Sequence, residues 1–206
     1  MNNIHQLIQQ LCPDGVEYKR LGEVCEIRNG YTPSKKVSEY WENGTIPWFR
    51  MEDIRKNGRI LSDSIQHITP EAVKNGKLFS ANSIIVATTA TIGEHALLIV
   101  DALANQRFTN LTIRKSFSSR LDIKFFFYYM FIIDEWCKSN INVSGFASVD
   151  MKKFREILIP LPPLPVQRAI AETLDRFTEL ETELECRKKQ YEYYRDQLLT
   201  FKRKEI

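Results

Sequence analysis

The chain has 206 residues, 43% hydrophobic and 11% aromatic, with a net charge of +3. That is enough apolar material for a globular core, and it excludes a disordered chain. So mild a basic balance permits nucleic acid on one face without demanding it.

Asn2 or Asn3 is placed to cap a short helix through Leu11, and Cys12-Pro13-Asp14-Gly15 breaks it as a turn, because proline fixes φ and glycine accepts a positive one. The next stretch predicts a strand, a helical turn at Leu21 to Val24, and a basic loop carrying Arg28, Lys35 and Lys36 beside Tyr31. A turn at Asn43-Gly44 leads into a strand-like run, Ile46 to Phe49. Trp41 and Trp48 read as core, since large rings dominate buried packing. Residues 50–77 read as loop-rich and carry Arg50, Arg55, Lys56, Arg59, Lys74 and Lys77, with a helix start at Thr69-Pro70-Glu71.

Strand propensity rises in residues 82–93 and 95–102, with Gly93 between them, and again in 108–115, so a mixed or antiparallel sheet is expected. Ser119 to Ser139 is apolar on both faces and predicts a buried helix. Residues 141–154 read as a loop with a short helical turn, and 155–162 as a final strand feeding a proline hinge. The expected fold class is α+β: a mixed domain over 1–159 with a twisted, largely antiparallel sheet, then a hinge and long helix over 160–206.

From Val166 onward there is neither glycine nor proline, and Pro165 suits a first helical turn. Apolar residues recur at Ile170, Phe177, Leu180, Leu184, Tyr191, Tyr194, Leu198 and Phe201, the three-and-four spacing of a coiled-coil seam, interrupted by Thr173 and Arg187. Roughly 37 residues make a rod of about 55 Å, longer than a small domain needs to cover its own core. The seam from Phe177 to Leu198 is therefore the expected dimerisation surface, and a two-fold axis through an antiparallel pair would match it with itself.

Cys12, Cys25, Cys137 and Cys186 are scattered without metal-ligand spacing, which fits a reducing compartment and no zinc site. The amino terminus lacks signal-peptide character, and the run Phe125 to Ile133 is too short to span a bilayer, so a cytoplasmic location is expected. Asp63, Glu71 and Lys74 only loosely resemble a nuclease cluster. His5, His67 and His95 lie in no G-x-S-x-G setting, and there is no glycine-rich phosphate loop. No catalytic residue, metal or cofactor is expected. Basic, aromatic-interleaved loops suit binding, since Lys and Arg contact phosphates and loop side chains reach base edges.

Five segments in order, residues 12–33, 40–48, 89–93 (TATIG), 105–108 (NQRF) and above all 159–175 (IPLPPLPVQRAIAETLD), resemble the specificity subunits of type I restriction-modification systems, in a half-length form. The resemblance implies a target-recognition domain that reads half of a split DNA sequence and a helix that spaces two such domains in an antiparallel coiled coil. It also implies methyltransferase subunits, and restriction subunits in the full complex, that bring the chemistry. With one domain and one helix, a homodimer would restore the missing half, predicting a palindromic two-part target on double-stranded DNA with domains roughly 55 Å apart, between one and two DNA turns. The alternatives are the first half of a longer subunit, a stand-alone dimeric DNA-binding regulator, a cryptic nuclease and a structural assembly protein. Arg28, Lys35, Lys36, Arg50, Arg55, Lys56, Arg59, Lys74, Lys77 and Arg107 are the candidate DNA contacts, and Tyr31 and Thr91 candidate groove contacts with core or turn roles as the alternative.

Overall fold

The computed structural model describes residues 2–142 and 147–201. The side chains of Asn2 and Asn3, and with them the expected cap, lie outside what is described, as do residues 143–146 of the predicted loop and 202–206 of the rod segment.

In chain order the first elements are α1 (Asn2–Leu11), β1 (Glu17–Arg20), α2 (Leu21–Val24), β2 (Cys25–Asn29), β3 (Ile46–Phe49), α3 (Met51–Asn57), β4 (Ile60–Leu61) and β5 (His67–Ile68). There follow β6 (Ser83–Ala87), β7 (His95–Leu98), β8 (Leu103–Ala104), β9 (Phe108–Ile113) and α4 (Ile123–Ser139). The last are β10 (Ile141–Asn142), β11 (Ser148–Val149), α5 (Met151–Glu156), β12 (Leu158–Leu161) and α6 (Leu164–Leu199). The fold class is α+β, as the sequence predicts.

A five-stranded sheet runs in the order β2-β9-β6-β7-β4, antiparallel except where β4 pairs parallel with β7. Its middle strand β6 is buried along its whole length, so its residues alternate between two cores. Ile84 and Val86 face one cluster with Leu97, Leu111, Phe126 and Met130. Ile85 and Ala87 face the other with Trp48, Phe49, Leu98 and Phe108. The first core is closed by α4, α2, α5 and β12, the second by α3 and a smaller sheet ordered β5-β3-β8. Each buried Ile or Phe contributes roughly 1.5–3 kcal/mol.

Four local expectations change. Arg28 lies in β2, because the strand continues to Asn29 before the loop opens. Arg55 and Lys56 stand on α3, whose start is fixed by Asp53 Oδ2 accepting from the Arg50 backbone N–H at 2.7 Å, a signal hidden in a charged stretch. Thr69-Pro70-Glu71 begins only a single 3₁₀ turn, Pro70–Ala72. On α4 one face is buried through Phe126, Met130 and Ile133, but Phe131 and Ile132 are 42% and 61% exposed.

The hinge is held from both sides. β12 pairs antiparallel with β1, Glu17 opposite Leu161. Gln167, fully buried on the first turn of α6, accepts from the Asp122 N–H at 2.7 Å and donates to the carbonyls of Arg120 and Pro162 at 2.7 and 2.6 Å. Asp122 in turn caps α4 by accepting from the Lys124 and Phe125 N–H groups. Farther along, Asp175 accepts from Lys124 Nζ at 3.0 Å and from the Tyr128 hydroxyl at 2.7 Å. Burial pushes the Tyr128 phenol up to about 12, and the Asp175 carboxylate adds to the shift. From Arg176 to Phe201 every residue is exposed.

Candidate nucleic-acid interface

Strand register decides which loops share an end of the sheet. Asn29 at the end of β2 faces Thr109 at the start of β9, Phe108 faces Ala87 at the end of β6, and Val86 faces His95 at the start of β7. The loops 30–37, 88–94 and 105–107 therefore leave from one end, although they are far apart in sequence.

Hydrogen bonds tie them together. The Gly30 N–H donates to Phe108 O at 2.8 Å and the Tyr31 N–H to Ala104 O at 2.9 Å. The Thr32 hydroxyl donates to Gln106 Oε1 at 2.5 Å, and the Thr88 N–H to Arg107 O at 3.0 Å. Gly30 is required by contact: a Cβ there would stand 2.3 Å from Asn105 O and 2.4 Å from Ala104 O. Within the TATIG loop Ala90 holds φ at 64°, a left-handed conformation costing a non-glycine residue about 1 kcal/mol or more, the kind of strain that collects at functional loops.

Tyr31 is the hub. Its carbonyl accepts from Trp48 Nε1 at 3.0 Å, its hydroxyl accepts from the Lys74 N–H at 2.6 Å, and the Lys74 ammonium sits 4.6 Å over its ring. An open groove of about 630 Å³ lies between loop 30–37 and the turn that carries Lys74, lined by Thr32, Ser34, Tyr40, Glu71 and Lys74. Tyr31 thus takes the structural role weighed for it.

The ten candidate cations divide. Lys35, Lys36, Lys74, Lys77 and Arg107 are exposed on these loops or on the turn that Tyr31 binds to them. Arg50 follows β3, beside the Asn105 N–H that donates to Phe49 O at 3.0 Å; its guanidinium lies 5.7 Å over Trp48, and its Nε is buried without a hydrogen-bond partner. Arg28 is a strut, donating to Leu78 O and covering Phe79 at 5.2 Å. Arg55 and Lys56 occupy the last turn of α3, where positive charge suits the helix dipole. Arg59 donates to His95 O at 2.9 Å, lies 3.8 Å from Asp134 and stacks 5.0 Å over Phe131, committed to the fold on the side nearer the rod.

Two features escaped sequence reading. Thr32 and Gln106 meet across 74 positions, which no local pattern signals. His95 is fully buried, its Nδ1 2.6 Å from Asp134 Oδ2, which pins β7 to α4. Its seclusion suits a structural pin, since no substrate reaches it. Asp63 and Glu71 do not converge: Asp63 is held below the usual carboxylate range by the Ser64 N–H and by His67, whose Nε2 lies 2.7 Å away. Among the described residues no group of three His, Cys, Asp or Glu is placed to hold a metal, and no helix is long and apolar enough to cross a membrane.

A type I restriction modification DNA specificity domain matches residues 13–191, and the chain belongs to that family. It is 54% identical to the Escherichia coli type I restriction enzyme EcoprrI specificity subunit, over 93% of this chain and 51% of that protein. It is 36% identical to the Escherichia coli EcoR124I/EcoR124II specificity subunit, over 92% of this chain and 50% of that protein. The crystal structure of the HsdS subunit from Thermoanaerobacter tengcongensis shares the fold, with a TM-score of 0.64 at 22% identity, covering 89% of this chain and 45% of that one. The chain thus spans about half the length of the curated relatives it matches.

Proposed function

We propose that residues 1–159 form a target-recognition domain that reads one half of a bipartite sequence on double-stranded DNA, and that residues 160–206 form the hinge and coiled-coil helix that sets its distance from a second such domain. The observation that carries this reading is the convergence of three distant loops on one end of the sheet, with Lys35, Lys36, Lys74 and Arg107 around them. The chain acts without a catalytic residue of its own, in the cytoplasm, directing methyltransferase subunits and, in the full complex, restriction subunits to the site. The second domain comes from a second copy of the chain, so the two halves of the target are the same sequence in inverted orientation.

The test is to co-express the chain with a type I methyltransferase subunit and map methylated adenines. Two inverted copies of one half-sequence around a fixed spacer support the proposal, and two different half-sequences, or no methylation with binding lost, overturn it. The half-length match also suits the first half of a longer subunit, whose own second helix would replace the second copy. A monomer by light scattering favours that reading.

A further inference from the structure

Arg50 differs from the exposed loop cations in how firmly it is held. It follows β3 directly, and β3 runs parallel to β8, with Trp48 opposite Leu103 and Phe49 opposite Ala104. The chain after Phe49 and the chain after Ala104 therefore leave the small sheet at the same end, which puts Arg50 beside loop 105–107. The backbone of Arg50 is clamped by Asp53, a fully buried residue whose carboxylate accepts from the Arg50 N–H at 2.7 Å and from the Ile65 N–H at 2.6 Å.

The side chain is clamped as well. Its guanidinium lies 5.7 Å over the buried Trp48, which Trp41 packs edge-on at 5.0 Å and whose Nε1 donates to the Tyr31 carbonyl. The platform beneath Arg50 is thus part of the loop hub itself. Nε is buried without a hydrogen-bond partner while 28% of the side chain stays exposed, so the end presented to the surface is the pair of terminal nitrogens, Nη1 and Nη2. Lys35, Lys36 and Arg107, by contrast, are exposed side chains on loops.

Those two nitrogens form a fork of donors with no acceptor. In the major groove adenine sets an acceptor beside a donor, cytosine offers a donor and thymine a single acceptor. Guanine alone offers two adjacent acceptors, N7 and O6. A phosphate also accepts, but Glu52 Oε2 stands 3.9 Å from Arg50 Nε on a side chain 61% exposed, and a phosphate brought here would face that carboxylate. A neutral base edge meets no such repulsion. Stacking on Trp48 also fixes the fork before DNA arrives, so little ordering is left for the moment of binding.

We propose that Arg50 is a specificity-determining residue that reads a guanine of the half-target through N7 and O6 in the major groove, whereas Lys35, Lys36, Lys74 and Arg107 contact phosphates. The proposal rests on the target-recognition function proposed above, and it holds whether the second domain comes from a second copy or from a longer chain. Each half-target read by this chain then contains at least one G·C pair that no other pair replaces.

The experiment co-expresses the whole chain with a type I methyltransferase subunit, maps methylated adenines in genomic DNA, and titrates the complex with a duplex carrying the mapped sequence. Arg50→Ala leaves the backbone clamp of Asp53 in place and removes the fork. It should relax the mapped sequence at one G·C pair and lower affinity for the mapped duplex roughly tenfold or more. Exchanging guanine for 7-deazaguanine at that pair deletes N7; it should weaken the parent complex severalfold and the Arg50→Ala complex hardly at all. Lys35→Ala with Lys36→Ala should instead weaken every duplex alike and reduce the salt slope by about 2. A half-target without a G·C pair, or a mapped sequence that Arg50→Ala leaves strict at every position, overturns the assignment. So does a parent complex indifferent to 7-deazaguanine at every guanine, a measurement that needs no variant to fold. A chain that yields neither mapped methylation nor sequence-specific binding overturns the target-recognition function itself, and the role of Arg50 with it.

Discussion

The two regions of this chain are stabilised by opposite logics. Residues up to about Asp175 bury their apolar side chains in two cores on either face of one sheet, and most of the polar groups that hold the hinge, Gln167 and Asp122 among them, find partners within the chain. From Arg176 the same chain is the outer part of a 36-residue helix, and its apolar positions from Phe177 onward are all exposed. A domain is judged by what it encloses. A rod is judged by what it lacks, and here the missing surface is itself a statement about a partner.

The sharpest way to break the comparison is to alter the rod alone. Leu184→Asp would place a carboxylate in the seam from both copies, and the dimer should weaken on the order of a hundredfold or more while the domain melts as before. Sedimentation and thermal unfolding together check it; an unchanged dimer would mean the seam is not the interface.

The converse test alters the domain alone. Gly30→Ala drives a Cβ into the Asn105 and Ala104 carbonyls, and a cost on the order of 3 kcal/mol is expected by chemical denaturation, with α6 helicity unaffected. Next in size, Asp134→Ala leaves the buried His95 without its partner and releases Arg59, destabilising the domain by about 2–3 kcal/mol. A change under half a kcal/mol would remove the pin from the account.

Smaller effects sharpen the interface within the domain. Lys74→Ala with Arg107→Ala should lower DNA affinity and reduce the salt slope by about 2, whereas Arg55→Ala with Lys56→Ala should do so less, because both sit on the last turn of α3 rather than on the converging loops. Equal losses from both pairs would dissolve that distinction. The gentlest probe is chemical. Burial pushes the thiols of Cys25 and Cys137 up to about 12, so at neutral pH a maleimide should label the exposed Cys186 on the rod and leave those two untouched until the domain unfolds.

Much of this was legible because it is local. The helical turn at Leu21–Val24, the strand pair around Gly93, β12 before the prolines and the long α6 all follow from propensity, turn residues and period. The cation list was legible only as charge. Charge can be read from sequence, but whether a guanidinium is free or committed depends on neighbours such as Leu78 for Arg28 and Asp134 for Arg59.

The sequence by itself therefore determined the division into a mixed domain and a rod, the apolar seam and its symmetric spacing, since these depend on periodicities within a few residues. Only the tertiary structure decided which loops share an end of the sheet, that Thr32 touches Gln106, and that His95 and Arg59 belong to the frame. Those facts rest on strand register and long-range packing, which residues tens of positions apart settle together and no single stretch encodes.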